Sequence, residues 1–235
     1  MYSVNIDTFV FISGAGGNGS HWKRVAPVLR DAGYEVLTPD LPAADDRAGI
    51  DEYARTIVDA IGGRTNVSVV GQSLGAHTAA AVCELVPVEL LVFVAGMIPK
   101  QGETAGEWWE ATGQSAAQRR QDLLEGRNPD AEWEDETLFY HDVPPAVLAD
   151  VLSEGEAEQS FAPFSSPFTA TAWRSVPTRA IAGKLDRLFP FPFMSELVRE
   201  RLGIDVDPID SGHLPALSRP GDLARMLIGY ARHPS

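Results

Sequence analysis

The chain has 235 residues, 44% of them hydrophobic, enough for one large α/β domain or for a core that carries an insertion. Its net charge of −14 argues against nucleic acid or an anionic membrane as a partner, and no apolar run is long enough to span a bilayer. One cysteine precludes an intrachain disulfide; with no basic region and apolar stretch at the start, we expect no signal peptide and a cytoplasmic protein.

Residues 8–12 are apolar and β-branched and read as a strand, followed by the Gly-rich loop 13–19. Residues 22–32 read as a helix, with Trp22, Val25, Val28 and Leu29 on one face and Gly33 as the stop. A short strand at 34–37 runs into the loop Thr38-Pro39-Asp40-Leu41-Pro42. Residues 51–61 form a helix with Tyr53, Ile57, Val58 and Ile61 inward, ended by Gly62-Gly63. Residues 67–70 are a buried-type strand, and the Ala-rich 76–86 suits a tightly packed helix in which Cys83 is a packing residue. Strands at 90–94 and 178–182, a helix at 192–202, a short strand at 204–209 and a closing helix at 222–232 complete the rhythm. Continuous apolar strands alternating with helices predict a mostly parallel sheet of about six strands, with helices on both faces.

The rhythm breaks at 99–172. Acidic helical pieces appear there, interleaved with Trp108, Trp109, Trp133, Phe139, Tyr140, Phe161, Phe164 and Phe168. Between residues 101 and 170 there are 15 Asp and Glu against 3 Arg and Lys, so nearly all the excess charge lies in this segment. We read the charge as a solvated face; the functional alternative is repulsion of anionic substrates near a site entrance. The segment is too rich in aromatics to be a disordered linker. It is expected to be a helical cap or lid, 99–172, inserted into a core made of 1–98 and 173–235.

The chemistry concentrates in three loops. Gly71-Gln72-Ser73-Leu74-Gly75 joins the 67–70 strand to its helix, a sharp turn that lifts the Ser73 hydroxyl out of the sheet. A serine hydroxyl needs a base, and the base needs a partner to hold its tautomer. Of five histidines, only His213 lies in a late loop after a strand, in Asp210-Ser211-Gly212-His213-Leu214-Pro215. His77 points away from the turn and reads as packing or surface, His233 as solvated tail, His141 as lid surface and His21 as packing or capping. Asp186, in the loop after the 178–182 strand and ahead of Pro190, is the preferred acid, with Asp210 as its rival. Oxyanion donors are expected from the backbone N–H of Leu74 and of Ala15, with Gly16 next. Gly14-Ala15-Gly16-Gly17-Asn18-Gly19 also fits a dinucleotide fingerprint, with Asp40 as its ribose-binding acid. That rival, a nucleotide-dependent oxidoreductase, leaves the Ser73, Asp186 and His213 loops unexplained. A third reading keeps the fold as a non-catalytic binder of a small ligand.

The order Ser73, Asp186, His213 resembles the nucleophile, acid and base of the α/β-hydrolase superfamily. The likeness covers nearly the whole chain. The first loop, Phe11-Ile12-Ser13-Gly14-Ala15 with Trp22 beyond, resembles the compact branch of plant methyl esterases and hydroxynitrile lyases, although Ser13 stands where family members often carry His. The lyases of that branch carry Lys after the catalytic His and Thr in the first loop; Leu214 and Gly14 occupy those positions and favour an esterase. Haloalkane dehalogenases and epoxide hydrolases use an Asp nucleophile, so Ser73 speaks against both. The resemblance implies a small carboxylic ester as substrate, an acyl-enzyme on Ser73 hydrolysed by a water that His213 activates, and no metal or organic cofactor.

Overall fold

The computed structural model describes residues 5–154 and 158–233. Residues 1–4, 155–157 and 234–235, which the expected core and insertion also contain, lie outside the described residues. Strand β1 is Thr8–Ile12, followed by a 3-10 turn at Gly19–Trp22 and helix α1, Ala26–Asp31. Next come β2 (Glu35–Leu37), α2 (Ile50–Ile61), β3 (Val67–Gln72), α3 (Gly75–Val82) and β4 (Leu90–Val94). Among the described residues five α-helices lie before the next strand, α4 (Trp108–Thr112), α5 (Gln114–Leu124), α6 (Asp135–Leu138), α7 (Pro145–Ser153) and α8 (Ala162–Ser165), followed by a 3-10 turn at Ala172–Ser175. The chain then forms β5 (Thr178–Gly183), α9 (Phe191–Leu202), β6 (Asp207–Ile209), α10 (Pro215–Ser218) and α11 (Pro220–Arg232).

The six strands make one sheet in the order β2-β1-β3-β4-β5-β6, and every pairing is parallel. Because side chains alternate across a strand, each strand feeds both faces. Val10, Ile12, Val69, Leu91 and Phe93 meet α2, α3 and α9 on one face. Phe9, Phe11, Val70, Val92 and Val94 meet α1 and α11 on the other. Burial of both faces is why β1, β3 and β4 read as unbroken apolar runs.

Some boundaries differ from the sequence reading. The expected 22–32 helix is split, with the α-helix starting at Ala26 where Pro27 presets the backbone. Val28, expected inward, is 36% exposed. α3 stops at Val82 rather than 86, and the strand expected at 204–209 keeps only its last three residues. The segment 99–172 lies between β4 and β5, yet Ala105, Trp108, Phe168 and Ala170 within it belong to the main core. A bidentate, buried Arg201–Glu103 pair (2.7 and 2.9 Å) also ties its start to α9. Among the described residues no helix is long and apolar enough to cross a membrane.

Candidate active site

The parallel sheet delivers the loops after β1, β3, β5 and β6 to one edge, the carboxyl ends of the strands. At the β3–α3 turn Ser73 takes φ +51°, a left-handed conformation that a side-chain-bearing residue rarely adopts. Its N–H donates to the Val94 carbonyl and its own carbonyl accepts from Met97. These bonds hold the strained residue in place. The flanking glycines serve a different purpose from the one their place in the turn suggests. Neither has a positive φ. A Cβ on Gly71 would lie 2.5 Å from the Gly75 carbonyl oxygen, and one on Gly75 would lie 2.7 Å from the Ile12 and Ser13 carbonyl oxygens. They let α3 press against β3 and β1, and the strain falls on Ser73 itself.

His213 is 1% exposed, and its Nδ1 lies 2.8 Å from Asp186 Oδ2. The other Asp186 oxygen accepts the N–H groups of Leu188 (2.9 Å) and Phe189 (2.8 Å), which sets the carboxylate's orientation. Asp210, the rival acid, instead pairs with Lys184 at the surface. His213 Nε2 is buried and has no partner among the described residues. The rings of Phe189 and Phe139 pack 4.9 and 5.4 Å from the imidazole.

Ser73, His213, Ala15 and Leu74 all line one cavity of about 240 Å³. Among the described residues the Ala15 and Leu74 amides donate no hydrogen bond. The neighbouring amides are engaged, Gly14 with Gln72 Oε1 (3.0 Å) and Gly16 with Gln159 Oε1 (3.3 Å). Ser13, at the position where members of the resembled family often carry His, ties down this loop by its hydroxyl. Its hydroxyl donates to the Asn18 carbonyl and accepts from the Trp22 indole. Asp40, the ribose candidate of the dinucleotide reading, is exposed and accepts from the Gly19 amide (2.8 Å) through one oxygen. Among the described residues no group of three or more His, Cys, Asp or Glu is placed to hold a metal ion.

The aromatic residues of 99–172 divide by role. Trp109, Trp133, Phe139, Tyr140 and Phe164 line the cavity. Trp108 is fully buried against Phe189 and Phe193, and Phe168 packs on His77 and Trp173. Phe161 is exposed. His77 is a packing residue, as expected, and burial pushes its pKa down to about 3. Burial likewise raises the Cys83 thiol to about 12. His21, expected as packing or capping, lines the cavity, and burial lowers its pKa.

Two residues escape the sequence reading. Gln72 bonds the first loop through Oε1 and donates from Nε2 to the His213 carbonyl (3.4 Å), joining the loops after β1 and β6. Asp142, from the segment 99–172, accepts from the Gly212 amide at 2.7 Å. No local pattern marks either one: Gln72 occupies a freely variable position of the elbow motif, and Asp142 is one acid among many.

Compared with known proteins, residues 9–226 match the model of the alpha/beta hydrolase family. No curated protein matches the chain in sequence. Among solved structures, a pyrethroid hydrolase from Sphingobium faniae JZ-2 is similar at 20% identity, over 98% of this chain and 99% of that one, with a TM-score of 0.76. Polyneuridine aldehyde esterase is 18% identical over 97% of this chain and 100% of its own, with a TM-score of 0.77. A methylesterase from Arabidopsis is 20% identical over 95% and 98%, with a TM-score of 0.72. At these identities the likeness is one of fold.

Proposed function

Because the chain belongs to the alpha/beta hydrolase family, we propose that it is a serine esterase that cleaves a small carboxylic ester through an acyl-enzyme on Ser73. The observation that carries this reading is the convergence on one cavity of a strained Ser73 and a His213 whose Nδ1 is held by buried Asp186. The names of the similar structures, hydrolase and esterase, support the same class of reaction.

The geometry supports a definite division of labour. Asp186 takes the Nδ1–H hydrogen bond, which leaves Nε2 as the lone-pair nitrogen and base. His213 Nε2 removes the Ser73 proton as Oγ attacks the ester carbonyl carbon. The carbonyl oxygen becomes the oxyanion and takes the free Ala15 and Leu74 amides. Collapse of the tetrahedral adduct expels the alcohol, which receives the proton from His213. A water then repeats the sequence on the acyl-enzyme, giving the acid and free Ser73. Catalytic hydrogen bonds are often long before substrate arrives, so an unpartnered Nε2 is compatible with this role.

In this reading residues 99–172 are the lid, and their aromatic rings contact the substrate's apolar part. Among the described residues lining the cavity there is one carboxylate, Asp135, and no Arg or Lys, which favours an uncharged ester over one bearing a carboxylate. The test is turnover of a p-nitrophenyl ester series together with labelling by a fluorophosphonate probe. We expect hydrolysis of short uncharged esters, one label on Ser73, and loss of both in Ser73→Ala. Absence of turnover and label in the wild-type protein would overturn the reading.

A further inference from the structure

We propose that Asp142 is a positioning residue for His213, clamping the base loop so that alignment of the base depends on the seating of the 99–172 segment; the functional part of this inference rests on the esterase reading above. The Gly212 amide, directly before His213, donates to Asp142 Oδ2 across 70 residues of sequence. The fit leaves no slack. A Cβ on Gly212 would lie 2.5 Å from Asp142 Oδ1 and 2.9 Å from His141 Nε2. Gly212 has no positive φ, so it is this contact, not the backbone conformation, that calls for glycine.

His141, the residue before Asp142, lies against the same glycine through its Nε2. The acid and base loops are joined directly, by the Lys184 amide on the Ile209 carbonyl (2.9 Å) and the Leu185 amide on the Ser211 carbonyl (3.0 Å). Beyond His213, Val143 and Val151 of the segment pack with Leu214 and Leu217 in a separate apolar cluster. The base loop is thus held on both sides of His213, by a hydrogen bond before it and by apolar packing after it.

A hydrogen bond to the Gly212 N–H sets the plane of the Ser211–Gly212 peptide, one residue before His213, and misplacing a reacting group by about 1 Å can cost about a hundredfold in rate. Asp142 needs no charge for this work, only an acceptor oxygen. An Asn in its place keeps that oxygen, and its amide faces the region of His141 Nε2, which is buried without a partner. This distinguishes the clamp from a role for the Asp142 charge and from packing alone.

The experiment compares wild type, Asp142→Asn, Asp142→Ala, Gly212→Ala and the double variant Asp142→Ala/Gly212→Ala. The readouts are ester kcat and KM, the rate of fluorophosphonate labelling of Ser73, thermal midpoint, and amide exchange at Gly212. We expect Asp142→Ala to lower kcat and the labelling rate by about ten- to a hundredfold with KM within threefold, and Asp142→Asn to stay within threefold of wild type. The Gly212→Ala loss should shrink when Asp142 is also Ala, because the closest clash is gone. Exchange at Gly212 should be slow in wild type and Asp142→Asn and at least tenfold faster in Asp142→Ala. That measurement needs no turnover, so it judges the clamp even if wild type fails to take the label and the esterase reading falls. Unchanged Gly212 exchange in Asp142→Ala, an Asn variant as impaired as Ala, or unchanged Asp142→Ala kinetics in an active enzyme would overturn the proposal.

Discussion

Replacement of His77 by Leu should stabilise the protein, and by more at low pH. His77 is 1% exposed on α3, packs edge-on against Phe168, and neither ring nitrogen has a partner among the described residues. Burial, reinforced by the Arg201 charge, lowers its pKa from 6.5 to about 3. The folded protein therefore holds a neutral ring at pH 5, whereas the unfolded chain begins to bind a proton below 6.5. A folded-state pKa below the unfolded value means stability is fully present above pH 6.5 and is lost as pH falls toward 3. The loss is about 1.36 kcal/mol per pH unit, so about 2 kcal/mol over the 1.5 units down to pH 5. Leu abolishes this term and removes two unpaired polar atoms from the core, adding about 1 kcal/mol or more at neutral pH. His21 and His141, whose pKa values are also lowered by burial, are present in both proteins and cancel in the difference. The assay is thermal unfolding of wild type and His77→Leu from pH 8 to pH 5. The midpoint gap should widen on acidification by about 4–8 °C for a chain of this size. Parallel profiles, or a gap that narrows toward pH 5, would refute the reasoning.

Glu103→Ala should cost about 3–5 kcal/mol in urea unfolding, because it leaves the buried Arg201 guanidinium without its bidentate carboxylate; a loss under about 1 kcal/mol would show that Arg201 finds another partner. Gln72→Leu should lower kcat/KM for ester hydrolysis by about ten- to a hundredfold, since it strands the buried Gly14 amide at about 1–3 kcal/mol and unties the His213 loop. Steady-state kinetics checks it, and an unchanged kcat/KM would remove Gln72 from the site's architecture.

Much of the fold could be read directly. β1, β3 and β4 are short apolar runs because both sheet faces are covered, and such runs stand out against their Gly and Pro borders. The dipeptides Gly62-Gly63 and Leu202-Gly203 mark helix ends through glycines at φ +59° and +70°. Boundaries were harder where two effects compete. α3 breaks off at Val82 although helix-compatible residues run on to Val86, with Pro87 close ahead. The first helix splits because Trp22 is drawn to Phe11 and Ser13 while Pro27 starts a new turn.

The candidate site was legible only as a set of local patterns. An elbow, an acid loop and a histidine loop are local patterns, and a parallel sheet sends the loops at its strands' carboxyl ends to one edge whatever the intervening sequence. So Ser73, Asp186 and His213 could be picked out as candidates residue by residue. Their mutual orientation could not, because it is carried by contacts with no local signature: Gln72 reaches 58 residues back to Gly14 and 141 forward to His213, and Asp142 reaches 70 forward to Gly212. The aromatic residues of 99–172 make the same point. Trp108 and Trp109 are adjacent and chemically identical, yet one is sealed in the core and the other lines the cavity. Composition and periodicity specify which residues are able to pack or react; which of them meet is a property of how distant segments close against one another.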